Sequence, residues 1–148
     1  MKYFIYYSNS GNGDLIASKL KEKGFEIIKI EPLKKIGKMN FFRILKYGGH
    51  AMFNKKMKIK DLNLSLKDDD EVIIGSPIWN DRLSTPINTL LSEYSFDKDT
   101  TKFILYPAGK TTNKSKEQIA KRGFKKEAIV ISYPKKNEQS VIEALSNI

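Results

Sequence analysis

Ser8-Asn9-Ser10-Gly11-Asn12-Gly13 crowds hydroxyls, carboxamides and glycines into the gap between an apolar run, Tyr3 to Tyr7, and a helical pattern that starts near Leu15. A junction of this kind holds an oxyanion. Glycine lets the backbone curl through positive φ, the amide groups that open the helix converge on one point, and the helix dipole adds positive potential there. Ser8, Ser10 and Asn12 alternate, so their polar groups reach the same anion that the backbone at Asn9, Gly11 and Gly13 surrounds. The loop carries no lysine, unlike the GxxxxGK[ST] pattern, which favours a monophosphate over a triphosphate with Mg²⁺. Asp14 suits the first turn of a helix but repels a dianion if its carboxylate turns inward. The competing reading is an ordinary strand-to-helix turn, for which Ser, Asn and Gly are also the usual residues.

Two further segments offer chemistry of a different kind. Gly75-Ser76-Pro77-Ile78-Trp79-Asn80 places the single tryptophan just past an apolar run, where an indole can stack on a flat ring or, alternatively, pack on the following helix. Tyr106-Pro107-Ala108-Gly109-Lys110 presents small residues whose backbone groups can meet the edge of a heterocycle. Cysteine is absent, which excludes thiolate catalysis, disulfides and cysteine metal sites. The one histidine, His50, cannot build a multi-histidine centre, so no metal is expected.

The elements that must position these segments follow from periodicity. Tyr3 to Tyr7, Val72-Ile73-Ile74, Phe103 to Tyr106 and Ala128 to Ile131 are short continuous apolar runs, as in parallel strands covered on both faces; Phe25 to Ile30 mixes in charges, as an edge strand does. Between them lie helical patterns: Leu15 to Lys23 stopped by Gly24, then Ile87-Leu90-Leu91-Tyr94 after an N-cap at Thr85, then Ile119-Ala120 ahead of Gly123, and finally Val141-Ile142-Leu145-Ile148. The resulting β-α alternation predicts one α/β domain, residues 1–148, with a doubly wound parallel sheet and helices on both faces. Ligands of such sheets bind beyond the carboxyl ends of the strands, which is where the three segments fall. No leader-like segment and no apolar run of about 20 residues is present, so a soluble, cytoplasmic protein is expected.

In their order along the chain the three segments resemble those of the flavodoxin-like family of FMN-binding proteins, and the likeness extends over nearly the whole sequence. Ser8 to Gly13 is similar to the family's phosphate loop, [ST]-x-[ST]-G-N-[TS]; Gly75 to Trp79 is similar to its GSPIW-type loop against the isoalloxazine; Ala108-Gly109-Lys110 stands at its third flavin loop. Gly13 departs from the pattern, since Thr or Ser there donates one more hydroxyl to the phosphate. The resemblance implies a five-stranded sheet in the order 2-1-3-4-5 and FMN as cofactor. It implies a site formed by Ser8, Asn9, Ser10, Gly11, Asn12, Gly13, Ser76, Pro77, Ile78, Trp79, Asn80, Ala108, Gly109 and Lys110. No catalytic acid or base is required. Trp79 would cover a ring face, residues 76–80 would approach N5, and Lys110 would either stabilise the reduced ring or remain solvated.

Charge separates this chain from acidic electron carriers, for its formal charge is +10 and its pI about 9.6. From Pro32 to Lys60 there are nine basic residues, Lys34, Lys35, Lys38, Arg43, Lys46, Lys55, Lys56, Lys58 and Lys60, and no Asp or Glu. Phe41, Phe42, Ile44, Leu45, Tyr47, Met52 and Phe53 are interleaved with them, and a similar insert occurs in some small bacterial members of the family. The segment reads either as a solvated helix and loop or as a docking surface for an anionic redox protein, a membrane face or a phosphate-bearing electron donor.

The expected function is electron transfer through FMN to a redox partner protein or a small acceptor. The alternative is a small NAD(P)H-dependent FMN oxidoreductase of the quinone reductase type, with a homodimer completing its pocket. A phosphorylation-controlled receiver domain fails because the acidic pair and the Asp it requires are replaced by Ser8-Asn9 and Gly75-Ser76. A basic nucleic-acid-binding module without flavin is the distant alternative, although no recognised motif accompanies the charge and no specific nucleic acid is expected.

Overall fold

A parallel strand buried on both faces needs apolar side chains at consecutive positions, because neighbours point to opposite sides of the sheet. The computed structural model describes residues 1–34, 56–109 and 111–148, and its central strands meet this requirement. The strands are β1 (Lys2–Tyr6), β2 (Glu26–Lys29), β3 (Glu71–Trp79), β4 (Arg82–Leu83), β5 (Lys102–Pro107) and β6 (Ile129–Val130). Among the described residues the helices are α1 (Asn12–Glu22), α2 (Thr85–Glu93), α3 (Asn113–Lys121) and α4 (Glu138–Ala144), with a 3₁₀ turn over Pro134–Lys136. Phe4, Tyr6, Ile73, Ile104 and Tyr106 pack with Ile16 and Leu20 of α1 and Val141 of α4 on one side. Ile5, Tyr7, Val72, Ile74, Phe103 and Leu105 pack with Ile87 and Leu90 of α2 and Ile119 of α3 on the other. The runs of β1, β3 and β5 are thus divided, residue by residue, between two cores; the run Ala128 to Ile131, expected to be covered on both faces, is strand only at Ile129–Val130, at the sheet edge, and Val130 is exposed.

The sheet runs β2-β1-β3-β5-β6, all parallel, with β4 added antiparallel to β3. Among the parallel strands this is the expected 2-1-3-4-5 order. Among the described residues the sheet has six strands and not five. The sixth arises because Gly75 to Trp79, expected as a loop, continues β3: Ser76 pairs with Leu105, Pro77 with Tyr106 and Ile78 with Pro107. Asn80 and Asp81 then take φ of 50° and 60°, and the chain folds back so that Trp79 faces Arg82 and Ile78 faces Leu83. Two central residues at positive φ define the hairpin turn whose twist matches its strands, and Asn and Asp tolerate it best among residues with a side chain.

Two helix boundaries also move, and one apolar residue of the last helix is not buried. α1 starts at Asn12, immediately after Gly11. α2 is capped by Ser84 and not Thr85: the Ser84 carbonyl accepts from Ile87 and Asn88 at 3.1 and 3.0 Å, while the extended backbone of Ser84 (ψ 152°) marks the residue outside the helix. In α4, Val141 and Leu145 are buried, but Ile142 faces solvent.

The basic stretch begins and ends at one place. Pro32 bridges Ile59, the Leu33 N–H donates to the Lys58 carbonyl at 2.9 Å and the Lys60 N–H to the Glu31 carbonyl at 2.8 Å. The returning chain is fastened to α2, where Thr89 Oγ1 accepts from the Met57 N–H and donates to the Met57 carbonyl. Of the cations in the stretch, Lys34, Lys56, Lys58 and Lys60 are described and exposed. Lys35, Lys38, Arg43, Lys46 and Lys55 lie outside the described residues, as do His50 and the interleaved aromatics. No helix of the described residues is long and apolar enough to cross a membrane.

Trp79 is the residue whose place changes most. It ends β3 inside the core, 8% exposed, edge-on to Tyr7 with ring centroids 5.8 Å apart and planes at 89°. Because the indole fills core volume, Trp79→Ala is expected to destabilise the ligand-free protein by about 3–5 kcal/mol. Urea unfolding followed by circular dichroism measures this, and Trp79→Phe is expected to retain most of the stability.

Candidate functional site

β1 ends at Tyr6, and the chain must turn within five residues to start α1. Gly11 makes this turn with φ +86°, a conformation that a residue bearing Cβ adopts only under strain. The loop holds itself closed: Ser8 Oγ accepts from the Gly13 N–H at 3.1 Å, and Asn12 Nδ2 donates to Ser10 Oγ at 3.3 Å. Ser8 is buried, Asn9, Gly11 and Asn12 are half-buried, and Ser10 is exposed. The opening turn of an 11-residue helix therefore lies behind an accessible hydroxyl.

Two tyrosines form the floor. Tyr106 reaches from β5 and donates its hydroxyl to the Tyr7 carbonyl, tying the middle of the sheet to the entrance of the loop. Burial pushes the Tyr106 phenol well above its ordinary range. The Tyr6 phenol is also raised, first by burial and then by the Asp14 carboxylate to which it donates at 2.7 Å. Lys29 of β2 stands 2.6 Å from the same carboxylate oxygen. Asp14 is thereby committed to Tyr6 and Lys29, which settles where its charge is held.

This floor also accounts for the departure at position 13. A Cβ on Gly13 would lie 2.8 Å from the Tyr106 hydroxyl, 2.8 Å from Tyr6 Cδ2 and 2.9 Å from Ser8 Cβ. Neither Thr nor Ser fits there, because the two tyrosines already occupy the space.

At the second segment the expected residues separate into two groups. Ser76 and Trp79 are buried, and Pro77 lies within the sheet. Ser76 Oγ donates to the Pro77 carbonyl at 2.7 Å and accepts from the Ser84 N–H at 3.2 Å, so it fastens the hairpin and does not face a ligand. Trp79 does not lie open at a strand end as its position in the sequence suggests: it is buried and packs against Tyr7. Ile78 is half-buried and Asn80 exposed, and these two remain at the surface of the sheet edge. At the third segment Ala108 and Gly109 are exposed, and Lys110 lies outside the described residues.

A fourth segment, outside the three loops picked out above, joins them. After β6, Tyr133 takes φ 49° and the Pro134–Lys136 turn lies against α1. The Tyr133 hydroxyl donates to the Ala108 carbonyl, the Lys135 N–H donates to Asn12 Oδ1 at 3.2 Å, and Lys135 Nζ donates to the Ser10 carbonyl at 3.1 Å. The segment thus spans the first and third loops. Its position beyond the carboxyl end of a parallel strand was the available signal; among 27 Lys and Arg residues nothing in the sequence distinguished Lys135. Among the described residues no cluster of His, Cys, Asp and Glu capable of holding a metal occurs.

Neither a family model nor a curated protein matches the chain. Similar solved structures were found. A Bacteroides eggerthii protein provisionally described as a flavoprotein superimposes with a TM-score of 0.73 at 21% identity, over 99% of this chain and 96% of that one. A flavoprotein from Lactobacillus acidophilus, solved in complex with FMN, gives 0.65 at 18% identity, over 93% of this chain and 95% of that one. A Bacteroides uniformis protein, also provisionally a flavoprotein, gives 0.65 at 17%, with the same coverage. The chain has the flavodoxin-like doubly wound fold along its length.

Gly13→Ser, which restores the hydroxyl of the family pattern, is expected to destabilise the protein by about 1–3 kcal/mol through overpacking. Adding Tyr106→Phe removes one of the three close atoms and is expected to recover part of the loss. Denaturation midpoints of the two single variants and the double variant test this coupling.

Proposed function

We propose that this chain binds FMN through the Ser8–Gly13 loop and acts in electron transfer. The observation that carries the reading is the Gly11 turn at φ +86°, which opens an 11-residue helix at the carboxyl edge of a flavodoxin-like sheet. The complex of the Lactobacillus acidophilus neighbour with FMN supports the choice of ligand.

The residues fit the two ends of FMN unequally. At the phosphate end, the Ser10 hydroxyl and the first turn of α1 supply donors, and Asp14 is held by Tyr6 and Lys29. At the ring end, Ile78, Asn80, Ala108 and Gly109 are the exposed or half-exposed groups, with Trp79 and Ser76 behind them as support. FMN, when bound, supplies the chemistry of accepting one or two electrons; the protein's part is to bind, orient and partly shield it. No side-chain acid or base is assigned a proton transfer. A carrier is the favoured form of this activity, and sustained NADH or NADPH oxidation by the purified protein with a quinone acceptor would favour the reductase instead.

The partner in this reading is anionic. Lys34, Lys56 and Lys58 are exposed around the neck of the basic stretch, and Lys60 beside them is paired with Glu31. Like charges held together on a surface repel each other and are offset when an opposite charge docks.

Addition of FMN is expected to give a red-shifted, quenched flavin spectrum and a higher melting temperature. Gly11→Val is expected to weaken binding more than Ser10→Ala, because it removes the turn itself and not one donor. Equal FMN affinity in Gly11→Val and the parent, read by fluorescence titration, would remove the phosphate assignment. Replacing Lys34, Lys56 and Lys58 by Glu is expected to leave FMN affinity nearly intact while slowing electron exchange with acidic donors. It is also expected to flatten the salt dependence of that exchange, since exposed charges are screened over about 10 Å at 0.1 M salt. Stopped-flow rates at two ionic strengths provide the comparison.

A further inference from the structure

The loop that receives the phosphate in the reading above has neither a lysine of its own nor the hydroxyl normally found at position 13. A cation nevertheless reaches it. Lys135 lies 125 positions from Ser10, yet its Nζ is 3.1 Å from the Ser10 carbonyl. Its side chain runs beside Gly11, with Cδ and Nζ each 3.4 Å from the point where a Cβ on that glycine would stand. We propose that Lys135 is the phosphate-binding cation of this protein, delivered from the turn after β6 and compensating for the hydroxyl that Gly13 cannot carry.

Four observations bear on this assignment. The turn that carries Lys135 is anchored on both sides, by its own N–H on Asn12 Oδ1 and by the Tyr133 hydroxyl on the Ala108 carbonyl, while Pro134 is buried. The neighbouring charges are otherwise engaged: Asp14 with Lys29 and Tyr6, Glu138 with Lys19 at 2.9 Å, and Lys136 over the Tyr133 ring at 4.9 Å. No described carboxylate pairs with Lys135; its ammonium instead rests on a neutral carbonyl, which leaves its charge uncompensated. Finally, Gly11 has no side chain, so the lysine stem lies directly against the backbone at the mouth of α1.

The ligand chemistry that follows is specific. A phosphomonoester is preferred to the same molecule ending in a hydroxyl, because Lys135 contributes only when a charge is present to meet it. For a flavin this means FMN over riboflavin.

The inference rests on the FMN reading, and its test separates the two. Parent, Lys135→Met and Lys135→Arg are titrated with FMN and with riboflavin at two salt concentrations, and the melting temperature of each is measured without ligand. Lys135→Met is expected to bind FMN roughly tenfold more weakly, the size of one charge-assisted hydrogen bond, with riboflavin affinity unchanged and a smaller salt slope for FMN. Lys135→Arg is expected to keep most of the preference. An unchanged FMN-to-riboflavin ratio in Lys135→Met would overturn the assignment, as would parallel losses for both flavins, which mark a residue that only props the loop. A parent that binds riboflavin as tightly as FMN overturns it too. A parent that binds neither removes the FMN reading itself and this inference with it.

Discussion

The space above Tyr6 and Tyr106 governs this end of the molecule. Two phenol rings, one from β1 and one from β5, meet under the first turn of α1, and only a residue without Cβ can lie on them. Gly13 permits that contact, its N–H closes the loop onto Ser8, and the Tyr106 hydroxyl holds the Tyr7 carbonyl in place. The helix is therefore seated directly on the sheet, and the position of the loop is fixed by aromatic packing as much as by its own hydrogen bonds. A less crowded floor would admit the usual hydroxyl residue at position 13 and leave Asp14 with a different partner.

The same crowding distributes charge. Tyr6 and Lys29 draw the Asp14 carboxylate toward β2, and on the far side the turn after β6 brings an ammonium group to the loop. A negative group and a positive one thus flank the helix mouth, the first held by the neighbouring β1 and β2 and the second brought from 125 positions away. The resulting field at the mouth of α1 is a property of tertiary structure, assembled from β1, β2 and the Pro134–Lys136 turn.

How much of this was readable in the sequence depended on whether a residue's role was decided locally. The parallel strands were readable because burial on both faces demands unbroken apolar runs, and the turn from β1 into α1 because Ser, Asn and Gly mark a strand-to-helix junction whatever it binds. The Gly75–Trp79 stretch was misread because Ser-Pro looks like punctuation. Past the Tyr6–Gly75 pair, β1 has ended on that side, so Pro77 forfeits no β1 ladder bond and the strand continues, with β4 taking up the pairing. Trp79 followed from the same error: a residue placed in a loop reads as available to a ligand, whereas the five residues Gly75 to Trp79 continue the strand and carry it into the core against Tyr7. Lys135 was out of reach for a different reason. Its contact with Ser10 is made because the chain pairs its last strand beside β5 and then turns back against α1, and no local pattern encodes such a meeting.

The neck between Glu31 and Lys60 closes the basic stretch at its two ends. The chain departs from the sheet at Pro32 and comes back at Ile59 across a single bridge, and Thr89 fastens the returning side to α2. Exit and re-entry are neighbours in space, joined by the Leu33–Lys58 and Lys60–Glu31 backbone hydrogen bonds. That closure lies apart from the tyrosine floor at the mouth of α1: Pro32, Ile59 and Thr89 hold the two ends of the segment together on contacts that involve neither Tyr6 nor Tyr106.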